Sequence, residues 1–202
     1  MAIGIVLRPP KTLEGQVQFL NSKLYRENPK GFLIDEHHLP HLSLLQMYIQ
    51  KKDLKDLTEI VESLKQKKLT LKVNKVELVP VKSDLNLKSV VLDLSKTPQI
   101  EEFQKFLLEK TQNLSTKGTK NAFFQPGIIG SGTVDDVRDF GRDSIGARYR
   151  PHISLGITES TVFKEGISSK QFQGSYDFEE AYIVHLGEFR TARKVLARIK
   201  LL

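Results

Sequence analysis

Apolar residues fall at two different spacings along this chain, and the alternation between those spacings predicts a protein of mixed α and β structure. Ile3 to Leu7 is an apolar run closed by Pro9-Pro10, and Leu13, Val17, Leu20 and Leu24 then recur as one face of a helix. Asn28-Pro29-Lys30-Gly31 stops that helix. After the polar stretch Asp35-Glu36-His37-His38, a second apolar run extends from His41 to Ile49. Asp53 is placed to cap a helix with the stripe Leu54, Leu57, Val61 and Leu64, and Lys65, Lys67 and Lys68 lie near its carboxyl end. Leu69 to Val81 reads as the next strand.

The second half repeats this order. Ser89 to Leu94 reads as a strand, Thr97-Pro98 supplies an N-cap and a first-turn proline, and Ile100, Phe103, Leu107 and Leu114 give a helical face. Another apolar run opens at His152 and continues to Ile157. The connection from helix to run is short in the first copy, whereas residues 115–150 fill it in the second. That segment contains Gly118, Gly127, Gly130 and Gly132 and an Asp-rich stretch, Thr133 to Phe140, with room for a helical turn. A long segment between elements predicts a loop on the substrate side. Gln171 to Tyr176, Glu179 to Leu186 and Arg193 to Leu201 are the last predicted strands, and residues 1–202 read as one domain.

The runs that close the two repeats open almost identically, as Pro40-His41-Leu42-Ser43-Leu44 and Pro151-His152-Ile153-Ser154-Leu155. With ordinary residue frequencies a second match of this kind is expected by chance on the order of once in a thousand chains of this length. In a strand, positions two apart face the same side. His41 and Ser43 therefore project together, as do His152 and Ser154, with Leu42 and Ile153 turned to the core. Because imidazole titrates near neutrality, one ring is able to take a proton while the other gives one. In cleavage of a phosphodiester, the neutral ring would deprotonate the attacking water or hydroxyl and the imidazolium would protonate the leaving oxygen. The serines would donate hydrogen bonds to the non-bridging oxygens. This scheme requires no metal and no cofactor.

Composition narrows the picture. The chain has no cysteine, which excludes disulfides, thiolate metal sites and cysteine nucleophiles and fits a reducing compartment such as the cytoplasm. The apolar stretch at the start is cut by Arg8 and falls short of a signal peptide core or membrane span, so no membrane partner is expected. The formal net charge of +7 raises the expectation of a polyanionic partner.

The paired motifs resemble those of the 2H phosphoesterases, which carry two His-x-Ser/Thr motifs in apolar surroundings. That family includes 2'-5' RNA ligase-like proteins, cyclic nucleotide phosphodiesterases, 2',5'-oligoadenylate-cleaving phosphodiesterases and a 3'-trimming RNA exonuclease. The resemblance implies a bilobal α+β fold, with two antiparallel sheets related by a pseudo-two-fold axis, outer helices and a central groove. It also implies catalysis by His41 and His152 and phosphate contacts from Ser43 and Ser154. Leu155-Gly156-Ile157 stands where many ligase-like members carry a basic residue. The expected substrate is RNA or an oligonucleotide with a 2',3'-cyclic phosphate or a 2',5' linkage. End-joining, RNA binding with weak hydrolysis and action on a small cyclic nucleotide remain open, and a monomer is expected.

Other residues carry weaker signals. Tyr149 and Arg150 precede the second motif, where a ring can stack on a base and a guanidinium can hold a phosphate. His185, in Tyr182-Ile183-Val184-His185-Leu186, reads first as a structural strand residue. His37 and His38 point to opposite faces and lack metal-ligand spacing. Asp135, Asp136, Asp139 and Asp143 fit a solvated helix better than a calcium loop.

Overall fold

The computed structural model describes residues 1–64, 68–81, 84–159 and 169–201. In chain order the main elements are β1 (Ala2–Arg8), α1 (Lys11–Glu27), β2 (Leu42–Tyr48), α2 (Leu54–Glu62), β3 (Leu69–Val81), β4 (Asp84–Leu94) and α3 (Pro98–Thr111). They continue with α4 (Ser131–Arg138), α5 (Phe140–Asp143), β5 (His152–Glu159), β6 (Ser175–Phe178), β7 (Glu180–Leu186) and β8 (Ala192–Lys200). The fold is α+β, as expected, and Thr97 caps α3 by accepting from the Ile100 amide at 3.3 Å. Asp53 makes no side-chain cap; it closes a 3-10 turn, Lys51–Asp53, that leads into α2. The strand expected at Gln171 to Tyr176 begins later, at Ser175, because a 3-10 turn occupies Ser169–Phe172. Lys65 and Lys67 lie outside the described residues, and Lys68 pairs with Asp177 at 2.8 Å.

Among the described residues the strands form one antiparallel sheet of eight, in the order β6-β3-β4-β5-β2-β1-β7-β8. Two separate sheets were expected, but the halves are joined through one residue pair, Leu42 opposite Ile153. These are equivalent positions of the two motifs. Each motif strand lies at the centre of the sheet beside the first strand of its own repeat, β1 beside β2 and β4 beside β5.

Pairing between β2 and β5 stops after that single pair for a reason built into both motifs. In the β1–β2 ladder Val6 faces Ser43 and Ile5 faces Leu45, so Leu44 is an extra residue. In the β4–β5 ladder Val91 faces Ser154 and Val90 faces Gly156, so Leu155 is extra in the same way. A bulge bends its strand and interrupts the ladder. Gly156, with φ of 149°, supplies backbone freedom that an L side chain rarely has.

The bulges leave carbonyls to satisfy, and the helices do so crosswise. The buried Asn21 of α1 donates to the Leu155 carbonyl at 3.0 Å, and the buried Gln104 of α3 donates to the Leu44 carbonyl at 2.8 Å. The helix of each repeat thus completes the motif strand of the other. Asn21 also donates to the Phe32 carbonyl and accepts from the Ile34 amide. Removing that amide strands three backbone groups, two of them in buried bonds. We expect Asn21→Leu, of similar size, to lower unfolding free energy by about 3 kcal/mol. Urea unfolding checks this, and a loss below ~0.5 kcal/mol would contradict the cross-brace.

The apolar faces of α1, α2 and α3 bury Leu13, Val17, Leu57, Val61, Ile100 and Phe103 against Ile3, Ile5, Leu42 and Ile153 in the main core. A smaller cluster joins Phe123, Ile129 and Val137 of the 115–150 segment to Ala2, Val6, Tyr48 and Val184 of the strands. The segment predicted as a loop is therefore largely folded, into α4, α5 and several 3-10 turns packed on the sheet. Among the described residues no helix is long and apolar enough to cross a membrane.

Candidate active site

Because Leu42 and Ile153 are paired and both lie in the main core, their neighbours His41, Ser43, His152 and Ser154 all turn to the other face. All four are partly buried, and each motif alternates with buried Leu42 and Leu44 or Ile153 and Leu155. The structure therefore brings the four predicted motif residues to one place.

The two imidazoles are held in the same way. His41 Nδ1 lies 2.9 Å from the Leu39 carbonyl, and His152 Nδ1 lies 2.7 Å from the Arg150 carbonyl. A carbonyl only accepts, so Nδ1 carries the proton and, in the neutral ring, Nε2 is the free base. The prolines account for the geometry. Pro40 and Pro151 fix their own φ and bias the preceding residue to an extended conformation, and that residue's carbonyl is the one each ring engages.

Burial pushes the His41 imidazole down to about 4, opposed by its bond to Leu39 and assisted by the charges of His152 and Arg190. His152 is lowered as well, first by burial, with Arg190 and Arg150 adding to the effect and its bond to the Arg150 carbonyl and Asp93 opposing it. Both shifts favour the neutral ring near pH 7. The sequence expectation of one protonated ring at that pH takes no account of this burial.

Ser43 Oγ accepts from Gln46 Nε2 at 2.9 Å, which leaves its own proton to be donated to an incoming oxygen. Tyr149 is buried and its hydroxyl donates to the Ser43 carbonyl at 2.9 Å, so it braces the first motif and offers no open ring for stacking. Arg150 is exposed; its guanidinium pairs with Glu77 and lies 4.0 Å from Asp93. His185 hydrogen-bonds the Ala122 carbonyl at 2.8 Å and packs edge-on against Phe124, away from the motif pair in its contacts. His37 and His38 lie 3.5 Å from Glu36 and Asp35, and among the described residues no group of three His, Asp or Glu side chains is placed to hold a metal ion. Asp135 and Asp139 pair with Arg138 at 2.6 and 2.9 Å, as a solvated helix would.

Arg190 is the residue that the sequence did not single out. It lies in the turn between β7 and β8, and its charge acts on both imidazoles. No spacing or motif marks it, because its turn comes near the first motif only in the folded chain, through the pairing of β1 with β7 and the Leu39–Ala192 bridge. A cavity of about 320 Å3 lies further along β2, lined by Met47, Tyr48, Leu108, Thr111 and Gly118, and includes none of the four motif residues.

The architecture is similar over nearly its whole length to solved structures. TT0787 of Thermus thermophilus superimposes with a TM-score of 0.65 at 14% identity, covering 100% of this chain and 98% of that one. E. coli LigT complexed with phosphate gives a TM-score of 0.55 at 15% identity, covering 98% of this chain and 96% of LigT. The chain shares the fold of TT0787 and LigT. LigT complexed with 3'-AMP gives a TM-score of 0.54 at 11% identity, with the same coverage. No family model and no curated protein matches the chain in sequence. Within this shared fold, the chain's two His-x-Ser segments occupy the two central strands.

Proposed function

We propose that this chain is a metal-independent phosphodiesterase acting on RNA-type phosphodiesters, either a 2',3'-cyclic phosphate or a 2',5' linkage, by two-histidine acid–base catalysis. The observation that carries the reading is the duplicated imidazole setting, in which each ring gives its Nδ1 proton to the carbonyl two residues upstream and keeps Nε2 for chemistry. The LigT complexes with phosphate and with 3'-AMP support a phosphate-bearing ligand for this fold. The strand order supports treating the two halves as lobes related by an approximate two-fold axis through the Leu42–Ile153 pair, with the substrate in a groove between them.

In the proposed reaction one Nε2 removes the proton from the attacking hydroxyl or water, and the other ring, protonated, delivers a proton to the leaving oxygen. Ser43 and Ser154 donate to the non-bridging oxygens as negative charge builds there. The test is incubation with 2',3'-cyclic mononucleotides, 2',5'-oligoadenylate and 3'-tailed RNA in EDTA, with products resolved by phosphate position. Turnover of at least one substrate in chelator is expected. Activity that disappears in EDTA and returns with a divalent ion would overturn the metal-free scheme.

A further inference from the structure

We infer that Arg190 is the group that grips the phosphate between the two histidines, and that the 115–150 segment serves to hold it there; the inference rests on the phosphodiesterase reading above. The turn that carries Arg190 is tied directly to the first motif. The Leu39 amide donates to the Ala192 carbonyl at 3.0 Å, and Leu39 is the residue whose carbonyl holds the His41 ring. Arg190, two residues before Ala192, therefore sits on the connection that positions His41. Because Leu42 pairs with Ile153, the second motif lies beside the first, so a cation on this connection is near both rings and lowers both.

The backbone of this turn is strained. Phe189 and Arg190 are consecutive non-glycine residues at φ of 54° and 59°, a left-handed conformation that side chains disfavour and that persists only where surroundings enforce it. Internal bonds contribute, from the Gly187 amide to the Thr191 carbonyl at 2.9 Å and from the Arg190 amide to the Gly187 carbonyl at 3.1 Å. The 115–150 segment supplies the rest. Glu188 accepts from the Gly130 amide at 2.8 Å, the Phe189 amide donates to Thr133 Oγ1 at 3.3 Å, and Asp136 lies 3.5 Å from Arg190 Nε. Asp136 anchors the guanidinium at its Nε edge, and a planar fork of this kind suits bidentate contact with two phosphate oxygens. The extra length before the second motif thus acts as a buttress for an anion-binding arginine contributed by another hairpin.

Titration calorimetry with inorganic phosphate at low salt tests this without needing turnover. Arg190→Gln is expected to weaken phosphate binding by about tenfold or more, and Arg190→Lys, a point charge without the fork, by less. Lys194→Gln, an exposed cation on β8, removes the same net charge and should stay within about twofold of the parent. Asp136→Asn, which loosens the anchor and leaves Arg190 in place, should fall between the parent and Arg190→Gln. Binding by Arg190→Gln within twofold of the parent overturns the inference, as does an absence of phosphate binding by the parent at millimolar concentration. If Arg190 controls phosphate affinity yet no phosphodiester is cleaved, the phosphodiesterase reading fails and the anion site stands.

Discussion

Replacing either His41 or His152 with alanine is expected to reduce phosphodiester cleavage by about 10³-fold while leaving the fold intact. The two losses should be similar in size, because the rings share one environment and each performs one half of a coupled proton movement. The double variant should be little worse than either single one, since groups that act as a unit do not contribute additively. Stability should change little. Each ring is only partly buried, and its hydrogen bond is to a carbonyl at the mouth of a strand. The measurement is initial rate on whichever phosphodiester the parent cleaves, alongside thermal unfolding. Parental activity in either single variant would remove that ring from the mechanism.

The second large effect is in pH. Catalysis needs one proton on the histidine pair: with none there is no acid, and with two there is no base. Burial moves both free-site titrations below the ordinary value of about 6.5, with His41 lowered to about 4. Above neutrality the singly protonated form then becomes scarcer with each unit. We expect kcat/KM to peak on the acid side of pH 6.5 and to fall about tenfold per unit through the range 7 to 9. The kcat profile should sit at higher pH, because a bound phosphodiester anion favours the imidazolium and raises its titration. A kcat/KM that is level between pH 6 and 8 would show that the rings are not held as neutral as their burial requires.

Much of the fold was legible in the spacing of apolar residues. The β3 boundaries agree with the predicted run, and α1, α2 and α3 follow their apolar stripes. Amphipathic periodicity is a local property and survives without tertiary information. The bulges were not legible, because an extra residue is defined by what stands across from it. Leu44 and Leu155 look like ordinary strand leucines until Ile5, Val6, Val90 and Val91 are placed opposite. The helix–strand cross-bracing by Asn21 and Gln104 was hidden for the same reason, as was the buried hydroxyl of Tyr149, which adjacency to the motif had suggested for stacking. The 115–150 segment was legible as an asymmetry between repeats. Its packing was not, since its buried residues Phe123, Ile129 and Val137 follow no single period and find their partners on strands far away in sequence.

By itself the sequence determined the four motif residues, their sharing of one side of each strand, and the type of proton chemistry they suit. Those follow from a duplicated pentapeptide and the two-residue period of a strand. The tertiary structure decided that the two copies meet, through Leu42 and Ile153 in a single sheet, and that both rings are partly buried and held by a carbonyl. It also brought Arg190 to them from a turn that no motif marks. Desolvation and charge act through space, and distances between remote segments exist only once the chain has folded.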